Sequence, residues 1–344
     1  MGFTRDLNWG WDIPGTKDQQ FYVWFDAPWG YLSGLESYFE EKGTPEKFKD
    51  YTQGDNSLMM HHIGKDIAFH HLVIWPAMIM AYNEGADDED KINLPSIVGI
   101  RGHLNVYSKD DSGKILTDGG GKRLTEKMSK SAGNAPSLVK LIDEYGSDML
   151  SYYLTSTNPH RIEDTVLEEA DLVRARDTFA GNVGNLVNRV LGFVYKQCDK
   201  IIPEPRTELY THADHEFLSE QNKIFEEVGT LIEVGSHKDA LNSIVTFATS
   251  SNKYFNDRAP WNLAKNGKTN EMNNVLYLAL NAVKSLSLLL RPYTPNISAQ
   301  IKDMLNTDYE WAWSDEGLIN LPSKNVLKKP WILVEDSRRK DSKK

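Results

Sequence analysis

A loop rich in lysine, serine and glycine carries the residues best suited to chemistry in this sequence. The pentapeptide Lys-Met-Ser-Lys-Ser contains Lys127, Ser129, Lys130 and Ser131, and Ala-Gly-Asn follows it. Lysine ammonium groups on flexible stems suit phosphates that shift during a reaction, and the serine hydroxyls add donors. A helix beginning after the loop would favour an anion through its N-terminus. Solvated loops of lysine and serine are common, but this order of residues favours a loop that brackets a triphosphate.

A second motif joins aromatic and small residues near the N-terminus. Trp24, Ala27 and Pro28 belong to the run Trp-Phe-Asp-Ala-Pro, and Tyr31 follows closely. The apolar run over 21–26 predicts a strand, and ligands of α/β proteins bind at the carboxyl ends of strands. Aromatic residues belong more often to a core than to a ligand site, so this motif gains weight only beside the others.

A third motif begins with Gly64, Lys65 and Asp66 and continues through a histidine pair to Trp-Pro-Ala. If Asp66 caps a helix, His71 and Trp75 lie one turn apart on one face of it. A single histidine would most often be structural. The spacing, beside two other motifs, favours a binding role for this one.

Elements of two kinds must position these motifs, because the sequence changes character near residue 157. Before it, runs typical of strands alternate with helical patterns, which favours an α/β fold with a parallel sheet. We predict strands over 21–26, 95–100 and 103–107, and helices over 67–82 and 136–154. After it, helical periodicity predicts an all-α bundle with helices over 167–196, 214–235, 237–256 and 270–290. A polar segment over 108–121 is expected to form a hairpin-like excursion, and no internal repeat is apparent.

Length and composition limit the alternatives. A chain of 344 residues accommodates about two domains, and 40% hydrophobic with 26% charged residues exclude a disordered or fibrous protein. We expect domains over 1–157 and 158–322, then an extension over 323–344 whose basic end, 338–344, is predicted to be disordered. The net charge of −10 argues against general coating of nucleic acid but allows a local basic site.

Cysteine usage and hydropathy indicate the compartment. Cys198 is the single cysteine, which excludes an internal disulfide or a multi-cysteine zinc site, so we expect no zinc site in this chain. No apolar run approaches the ~18–20 residues that span a bilayer, and the first residues lack the apolar core of a signal peptide. No association with a membrane is expected, and the cytoplasm is the expected location.

Together the three motifs resemble those of the methionyl-tRNA synthetases, a family of class I aminoacyl-tRNA synthetases. The resemblance covers nearly the whole chain. It implies the second half of a Rossmann-like nucleotide-binding fold, followed by an all-α anticodon-binding helix bundle. It also implies ATP-dependent activation of methionine, with Mg²⁺, to methionyl-adenylate, and transfer of methionine to tRNA(Met).

The resemblance also implies roles for individual residues. The family's methionine pocket corresponds to Trp24, Ala27, Pro28, Tyr31, Ile67, His71 and Trp75. Aromatic walls and a tyrosine hydroxyl suit a soft thioether. The ATP-binding positions correspond to Asp12, Gly64, Lys65 and Asp66, of which Asp66 would bind the ribose. The lysine loop, with Lys127, Ser129, Lys130 and Ser131, would stabilise the transition state of activation.

The helical part adds a predicted anticodon site. Asn185 and Arg189, one turn apart, match the family's anticodon-binding helix, and Trp261 matches its Pro-Trp pair. An exposed tryptophan can stack on an unpaired base, while asparagine and arginine can bond base edges. Without the upstream motifs, these residues would be interpreted as helix-packing side chains.

Several positions depart from the family's pattern. Trp29 stands where the family usually has a small aliphatic residue, and His70 replaces a customary aromatic residue. The Ala-Gly-Asn after the lysine loop is closer to the leucine, isoleucine and valine enzymes, which are the nearest alternative identities. Those enzymes lack this pairing of Gly-Lys-Asp with Trp-Pro-Ala. The run His-Ile-Gly-Lys at 62–65 resembles the class I signature His-Ile-Gly-His but overlaps the third motif, so His62 is predicted to be structural.

The family's first half, with the His-Ile-Gly-His signature and the zinc-bearing insertion, has no counterpart in this sequence. Three hypotheses follow. The chain is the C-terminal part of a methionine–tRNA ligase that acts with an N-terminal half, a non-catalytic tRNA-binding module, or an interaction protein derived from a synthetase. The intact lysine loop favours the first.

Overall fold

The computed structural model describes residues 4–5, 10–307 and 321–334. The chain divides into two compact units, the first formed by 1–103 with 161–164 and the second by 104–160 with 165–344. The basic end predicted over 338–344 lies outside the described residues. Within the described ranges, no helix has both the length and the apolar character needed to cross a bilayer.

The first unit contains two pairs of strands and several short helices. Strands β1 (Thr4–Arg5) and β2 (Gln20–Phe21) are antiparallel, whereas β3 (Met60–Gly64) and β4 (Ile97–Arg101) are parallel. The α-helices are α1 (Val23–Asp26), α2 (Gly30–Glu41), α3 (Lys47–Thr52) and α4 (Trp75–Gly85). A small core of Leu32, Trp75, Ile79 and Ile92 joins α2 to α4.

The prediction of a strand over 21–26 is wrong. Pairing ends at Phe21, after which α1, a 3₁₀ turn (Ala27–Trp29) and α2 follow in succession. Pro28 lies in the first turn of the 3₁₀ segment, where its fixed φ suits a helical start and its missing N–H costs nothing. The strand propensity of aromatic and β-branched residues depends on context, and helical packing prevails here.

The helix predicted over 67–82 is present but irregular. A 3₁₀ turn (Lys65–Ile67) and a π-helical turn (His70–Ile74) lead into α4. The expected capping role of Asp66 is wrong, because Gly64 occupies the cap position and Asp66 lies inside the 3₁₀ turn. The π-helical turn widens the segment that carries the histidine pair.

The second unit begins with a three-stranded sheet. Its central strand β5 (Leu104–Tyr107) pairs antiparallel with β6 (Thr125–Lys127) and parallel with β7 (Thr165–Val166). The predicted strands over 95–100 and 103–107 therefore correspond to β4 and β5. The lysine loop begins at the end of β6.

Between β5 and β6 the chain makes a double hairpin over 108–124. Three backbone hydrogen bonds of 2.9 to 3.0 Å join these turns. The Leu116 amide donates to the Ser108 carbonyl, the Leu124 amide to the Leu116 carbonyl, and the Ser108 amide to the Leu124 carbonyl. These three residues are eight positions apart, and each intervening turn has an aspartate whose side chain accepts amide hydrogens, Asp110 or Asp118. The hairpin-like character is confirmed, but the expectation of no internal repeat is wrong. The eight-residue unit is also visible in the sequence, where Asp110, Gly113 and Lys114 recur as Asp118, Gly121 and Lys122.

Nine α-helices of the described part complete the second unit. They are α5 (Leu138–Tyr145), α6 (Ser147–Ser156), α7 (Glu169–Phe179), α8 (Asn185–Gln197), α9 (His212–Glu233), α10 (His237–Arg258), α11 (Pro260–Lys265), α12 (Thr269–Leu290) and α13 (Pro295–Leu305). The four predicted bundle helices are confirmed, although a π-helical turn (Ala180–Gly184) separates α7 from α8. Gly146, with φ +82°, divides the helix predicted over 136–154. The helix α12 is buried around its circumference at the centre of the bundle.

A C-terminal segment, residues 321–334, packs along the bundle. Leu321 and Leu327 are 2% and 3% exposed, and the amide of Leu327 donates to the Lys200 carbonyl across 2.8 Å. The chain thus consists of an α/β part followed by an all-helical part.

Candidate functional site

Five aromatic and histidine side chains cluster in the first unit, and we name this cluster the aromatic pocket. We define it by the side chains of Trp24, Tyr31, His61, His71 and Trp75. The Tyr31 hydroxyl lies 2.8 Å from His71 Nε2, and His71 Nδ1 lies 3.1 Å from the Ile67 carbonyl oxygen. Because a carbonyl oxygen only accepts, the neutral ring carries its proton on Nδ1, and Tyr31 donates to Nε2. His71 is fully buried, whereas Tyr31 is 47% exposed, so the pair connects the interior with the surface.

His61 supports the pocket from β3 and was missed by sequence reasoning. The Trp75 indole nitrogen donates to His61 Nε2 across 3.2 Å, and the His61 ring lies 4.8 Å from that of Tyr31. Burial lowers the pKa of His61, with lesser contributions from His71 and His62, and this keeps Nε2 available as an acceptor. The alternation of side chains along a strand could have identified it, since positions 61 and 63 are buried and 62 is exposed.

The histidine pair packs against Trp24. The Trp24 ring stacks on His70 at 4.5 Å between centroids and meets His71 edge-on at 5.7 Å. Among the described residues, neither ring nitrogen of His70 has a hydrogen-bond partner, and burial lowers its pKa. Of the two histidines, His71 is therefore the one with directional contacts inside the pocket.

The residues around Trp29 lie partly outside the pocket. Trp29 packs edge-on against Trp75 at 5.1 Å and against Tyr82 at 5.8 Å, on the side of the small core. Pro28 is buried and Ala27 is exposed. Trp29, which stands where the family usually has a small aliphatic residue, thus packs against the Trp75 side chain.

The residues Gly64, Lys65 and Asp66 make a compact polar turn after β3. A Cβ atom on Gly64 would lie 2.8 Å from Asp66 Oδ1, so glycine permits the carboxylate to fold against the backbone. Lys65 forms an ion pair with Asp164 at 2.6 Å, and Asp66 lies 3.5 Å from His103. The Asp66 side chain is half-exposed.

Asp12 belongs to a different part of the first unit. It accepts a hydrogen bond from Gln20 across 3.2 Å and forms an isolated bridge with the same residue near β2. It is exposed.

The lysine loop in the second unit is a folded turn. The hydroxyls of Ser129 and Ser131 lie 2.9 Å apart, and the Gly133 amide donates to the Lys130 carbonyl across 3.2 Å. Gly133 adopts φ +71°, a conformation that favours glycine. The side chains of Lys127 and Lys130 are exposed. The next helix begins only at Leu138, so its N-terminus does not adjoin the lysines as the sequence suggested.

Asn134 closes this loop. Its Oδ1 accepts from the Ser129 amide at 2.7 Å, and its Nδ2 donates to the Lys127 carbonyl at 3.2 Å. Both ends of the side-chain amide are therefore used to hold the backbone on either side of Met128. Sequence reasoning noted this asparagine only as a departure from the family pattern, although its side chain forms two hydrogen bonds to the lysine loop.

A cavity of about 860 Å³ adjoins the lysine loop. Its walls come from the segment over 132–136, the double hairpin and the start of α7. Arg123 forms an ion pair with Glu168 at 3.0 Å and lies over the Tyr107 ring, which joins the double hairpin to the sheet.

Asn185 and Arg189 are aligned by a ladder of asparagines between α8 and α10. The Arg189 guanidinium donates to Asn256 Oδ1 across 2.6 Å, and Asn185 lies 3.4 Å from Asn252. Asn252 also donates to the Asn182 carbonyl at 2.8 Å, in the π-helical turn. Two asparagines four residues apart on α10 thus face an Asn/Arg pair with the same spacing on α8, a signal that sequence reasoning missed.

Trp261 lies beside Arg189. It is 40% exposed, its ring lies 6.1 Å from that of Phe255, and the Arg189 guanidinium is 5.9 Å from its centroid. Ala259, with φ +41°, and Pro260 form the sharp junction that presents it at the start of α11. A cavity of about 520 Å³ adjoins both residues.

A buried ion pair fixes this end of the bundle. Asp214, fully buried at the start of α9, accepts from the Tyr254 hydroxyl at 2.7 Å and from Arg258 at 3.1 Å. Burial, followed by the bond to Asp214, raises the pKa of Tyr254 well above its usual range. The end of α10 is thereby tied to α9 just before the junction that carries Trp261.

Two sequence models of known families match consecutive parts of the chain. The family described as class I tRNA synthetases (M) matches residues 1–191. The anticodon binding domain of methionyl tRNA ligase matches residues 204–336.

Individual relatives agree with these matches. The methionine–tRNA ligase of Pyrococcus abyssi is 34% identical over 340 residues, covering 96% of this chain and 44% of the relative. That of Saccharolobus solfataricus is 34% identical over 306 residues, covering 88% and 49%. Among solved structures, Mycobacterium tuberculosis methionyl-tRNA synthetase in complex with methionyl-adenylate superposes with a TM-score of 0.75 at 28% identity, covering 97% of this chain and 60% of that one. The chain therefore spans less than half the length of these curated relatives.

Proposed function

Because this chain belongs to the methionyl-tRNA synthetase family of class I enzymes, we propose that it supplies the second part of a methionine–tRNA ligase. The ligase activates methionine with ATP to methionyl-adenylate and transfers the methionyl group to tRNA(Met). The observation that carries the proposal is the match of both family models, in order, along one chain. The cytoplasm, where translation occurs, is the proposed location.

The aromatic pocket is the proposed methionine site. A thioether is apolar and polarisable, so it suits walls of Trp24 and Trp75, with Ala27, Pro28 and Ile67 at the margins. In the neutral state of His71, its Nε2 already accepts from Tyr31, which leaves the lone pairs of the Tyr31 oxygen as acceptors for a substrate donor. The pocket orients the amino acid, and none of its residues transfers a proton in this scheme.

The nucleotide is proposed to use Asp66 and the lysine loop. The Asp66 carboxylate would accept hydrogen bonds from the ribose hydroxyls, with Gly64 and Lys65 shaping the turn and Asp12 as a second acid. Lys127 and Lys130 would neutralise charge on the triphosphate as pyrophosphate departs, while Ser129 and Ser131 hold the turn.

Mg²⁺ would arrive with the nucleotide. Magnesium in such sites is bound mainly by substrate phosphates and one or two carboxylates. The described residues contain no group of three or more His, Cys, Asp or Glu side chains placed to hold a metal ion. The ion would supply charge neutralisation at the triphosphate.

The helical part is proposed to bind the anticodon of tRNA(Met). Asn185 and Arg189, aligned by the asparagine ladder, would bond base edges, and Trp261 would stack on an unpaired base. The remainder of the catalytic domain is proposed to come from an N-terminal part with the His-Ile-Gly-His signature, either joined to this chain or separate from it.

The proposal is tested by two assays on the 344-residue chain. In the first, binding of tRNA(Met) is compared with binding of the same tRNA carrying a changed anticodon, and we expect a clear preference for the methionine anticodon. In the second, methionine-dependent exchange of pyrophosphate into ATP is measured with and without an added N-terminal part. We expect exchange only with that part, and only with methionine among methionine, leucine, isoleucine and valine.

Equal binding of both tRNAs would contradict the anticodon assignment. Robust exchange by the chain alone would contradict the half-enzyme assignment and return the run at 62–65 to consideration as a working signature. Exchange that depends on another amino acid would assign the chain to the ligase for that amino acid instead.

A further inference from the structure

The cavity beside Trp261 has an unusual charge for this chain. Its lining includes the aromatic rings of Phe193, Tyr195, Phe255 and Trp261 and the cations Arg189, Lys196 and Lys329. None of the described residues that line it carries a carboxylate. The chain as a whole has a net charge of −10, so this local excess of positive charge departs from the average surface.

The C-terminal segment holds Lys329 at the cavity. Leu327 is buried two residues before it, and the amide of Lys328 donates to the Met304 carbonyl across 3.0 Å. Two residues after it, the Trp331 indole nitrogen donates to Gln300 across 3.4 Å. The residues on both sides of Lys329 are therefore hydrogen-bonded to α13.

Lys196 approaches the cavity from the other side. It lies in the last turn of α8, two turns beyond Arg189, and is exposed. Among the described residues, neither Lys196 nor Lys329 forms an ion pair, in contrast to Lys328, which pairs with Asp303. The two free ammonium groups are thus available to an external anion.

We propose that Lys196 and Lys329 bind backbone phosphates of the RNA strand whose unpaired base stacks on Trp261. This inference rests on the proposed function and extends it from reading of bases to binding of the backbone. Grooves that combine aromatic rings with cations are typical of proteins that bind single-stranded nucleic acid, since each nucleotide offers a flat base and a charged phosphate. An acidic peptide would use the cations but leave the rings without stacking partners.

Contacts with bases and contacts with phosphates differ in their effect on binding specificity. Arg189 is held by Asn256 and by the Trp261 ring, a fixed geometry suited to a base edge. Lysines on flexible stems suit a phosphate and carry no sequence information. Loss of a lysine should therefore weaken the binding of all RNA loops alike, whereas loss of the base-reading residues should reduce the preference for one anticodon.

The test measures the salt dependence of tRNA binding by the 344-residue chain. The variants are Lys329→Gln and Lys196→Gln, with Lys329→Arg as a charge-retaining variant. Lys324→Gln is the matched control, because Lys324 lies on the same segment, pairs with Glu204 at 3.3 Å, and does not line the cavity. Each phosphate contact on a single strand adds about 0.7 to the slope of log affinity against log salt. We expect each glutamine variant to lower this slope by about 0.7. The factor by which affinity falls between 50 and 200 mM salt should then be ~2.6-fold smaller than in the unmodified chain.

The results separate this inference from the proposed function. Absence of any anticodon-dependent binding by the unmodified chain would overturn the proposed function itself. Normal binding with slopes unchanged in Lys329→Gln and Lys196→Gln would overturn only the inference, as would an equal change in Lys324→Gln or a changed anticodon preference. Competition by polyglutamate as strong as that by single-stranded RNA would identify the cavity as a site for acidic protein and also overturn it. A lowered slope restored by Lys329→Arg supports it.

Discussion

Replacement of Trp261 by alanine should weaken the binding of tRNA(Met) by removing a single base-stacking surface. One side of the indole is already covered, since Phe255 lies 6.1 Å and the Arg189 guanidinium 5.9 Å from its ring. The side chain is 40% exposed, so part of the indole is accessible to a base. The relevant magnitude is therefore that of one base on one aromatic ring.

Loss of one such stack costs about 1–3 kcal/mol. At about 1.4 kcal/mol for each tenfold change, Trp261→Ala should raise the dissociation constant by about fivefold to 140-fold. Arg189 lies over the same ring, so removal of the indole also frees the guanidinium. This second effect places the expected value in the upper part of the range.

The assay is a titration of labelled tRNA(Met) at fixed salt, with the thermal unfolding of each variant measured beside it. Trp11→Ala is the matched control, because Trp11 is 79% exposed and belongs to the first unit, outside the proposed anticodon site. We expect it to change the dissociation constant by less than twofold. Conservative replacement by Trp261→Phe should retain part of the affinity, since an aromatic face remains.

An unchanged dissociation constant in Trp261→Ala would refute the stacking argument. Equal losses in Trp261→Ala and Trp11→Ala would also refute it, because the effect would then follow from any exposed tryptophan. A loss of affinity together with a collapse of the helical bundle would show that the indole is structural.

Further predictions concern the loop, the pocket and its pH dependence. In a complete enzyme, Lys127→Ala or Lys130→Ala should lower the maximal rate of pyrophosphate exchange and leave the affinity for methionine unchanged. The reason is that the two lysine charges act on the departing pyrophosphate. A changed methionine affinity at normal turnover would contradict this prediction. Asn134→Ala should accelerate hydrogen exchange of the Ser129 amide about fivefold, which corresponds to the loss of one hydrogen bond of ~1 kcal/mol. An unchanged exchange rate, measured by mass spectrometry, would show that Asn134 does not stabilise the lysine loop. Burial lowers the pKa of His61 below its ordinary value of 6.5, so the unfolded chain binds the proton more tightly and the free energy of unfolding should fall as the pH falls through about 6.5. Urea titrations from pH 8 to 5 should show this decline, and it should be shallower in His61→Gln.

The helical half of the chain was predictable because its signals are local and long. Helices such as α10 and α12 each extend over 22 residues, and apolar spacing alone locates them. The observed helix ends differ from the predicted ends by only a few residues, because caps rather than apolar periodicity determine where a helix ends.

The segment around Trp24 shows why local signals fail elsewhere. Its aromatic and β-branched residues favour a strand, but Trp24 packs against the histidine pair from a helix that no short pattern indicates. The partnership of Tyr31 with His71 joins residues 40 positions apart, so only the resemblance to a known family suggested that they meet. Their roles toward a ligand remain predictions.

The supporting residues were the least predictable part of each site. His61, Asn134 and Asn256 act through other residues, and such partners depend on tertiary approach rather than on a motif. Asparagine in particular is read from sequence as a turn or surface residue. In this chain it connects backbones and aligns neighbouring side chains.

The double hairpin has a consequence for how this region can change in length during evolution. Each eight-residue unit leaves and returns to the same point, because Ser108, Leu116 and Leu124 are bonded to one another in a closed ring. Excision of one unit would bring Leu124 directly opposite Ser108 and would preserve the entry into β6 and the lysine loop. Insertion or deletion of a whole eight-residue unit is therefore expected to disturb β6 and the lysine loop less than other changes in length. We expect relatives to differ in the length of this double hairpin by whole eight-residue units.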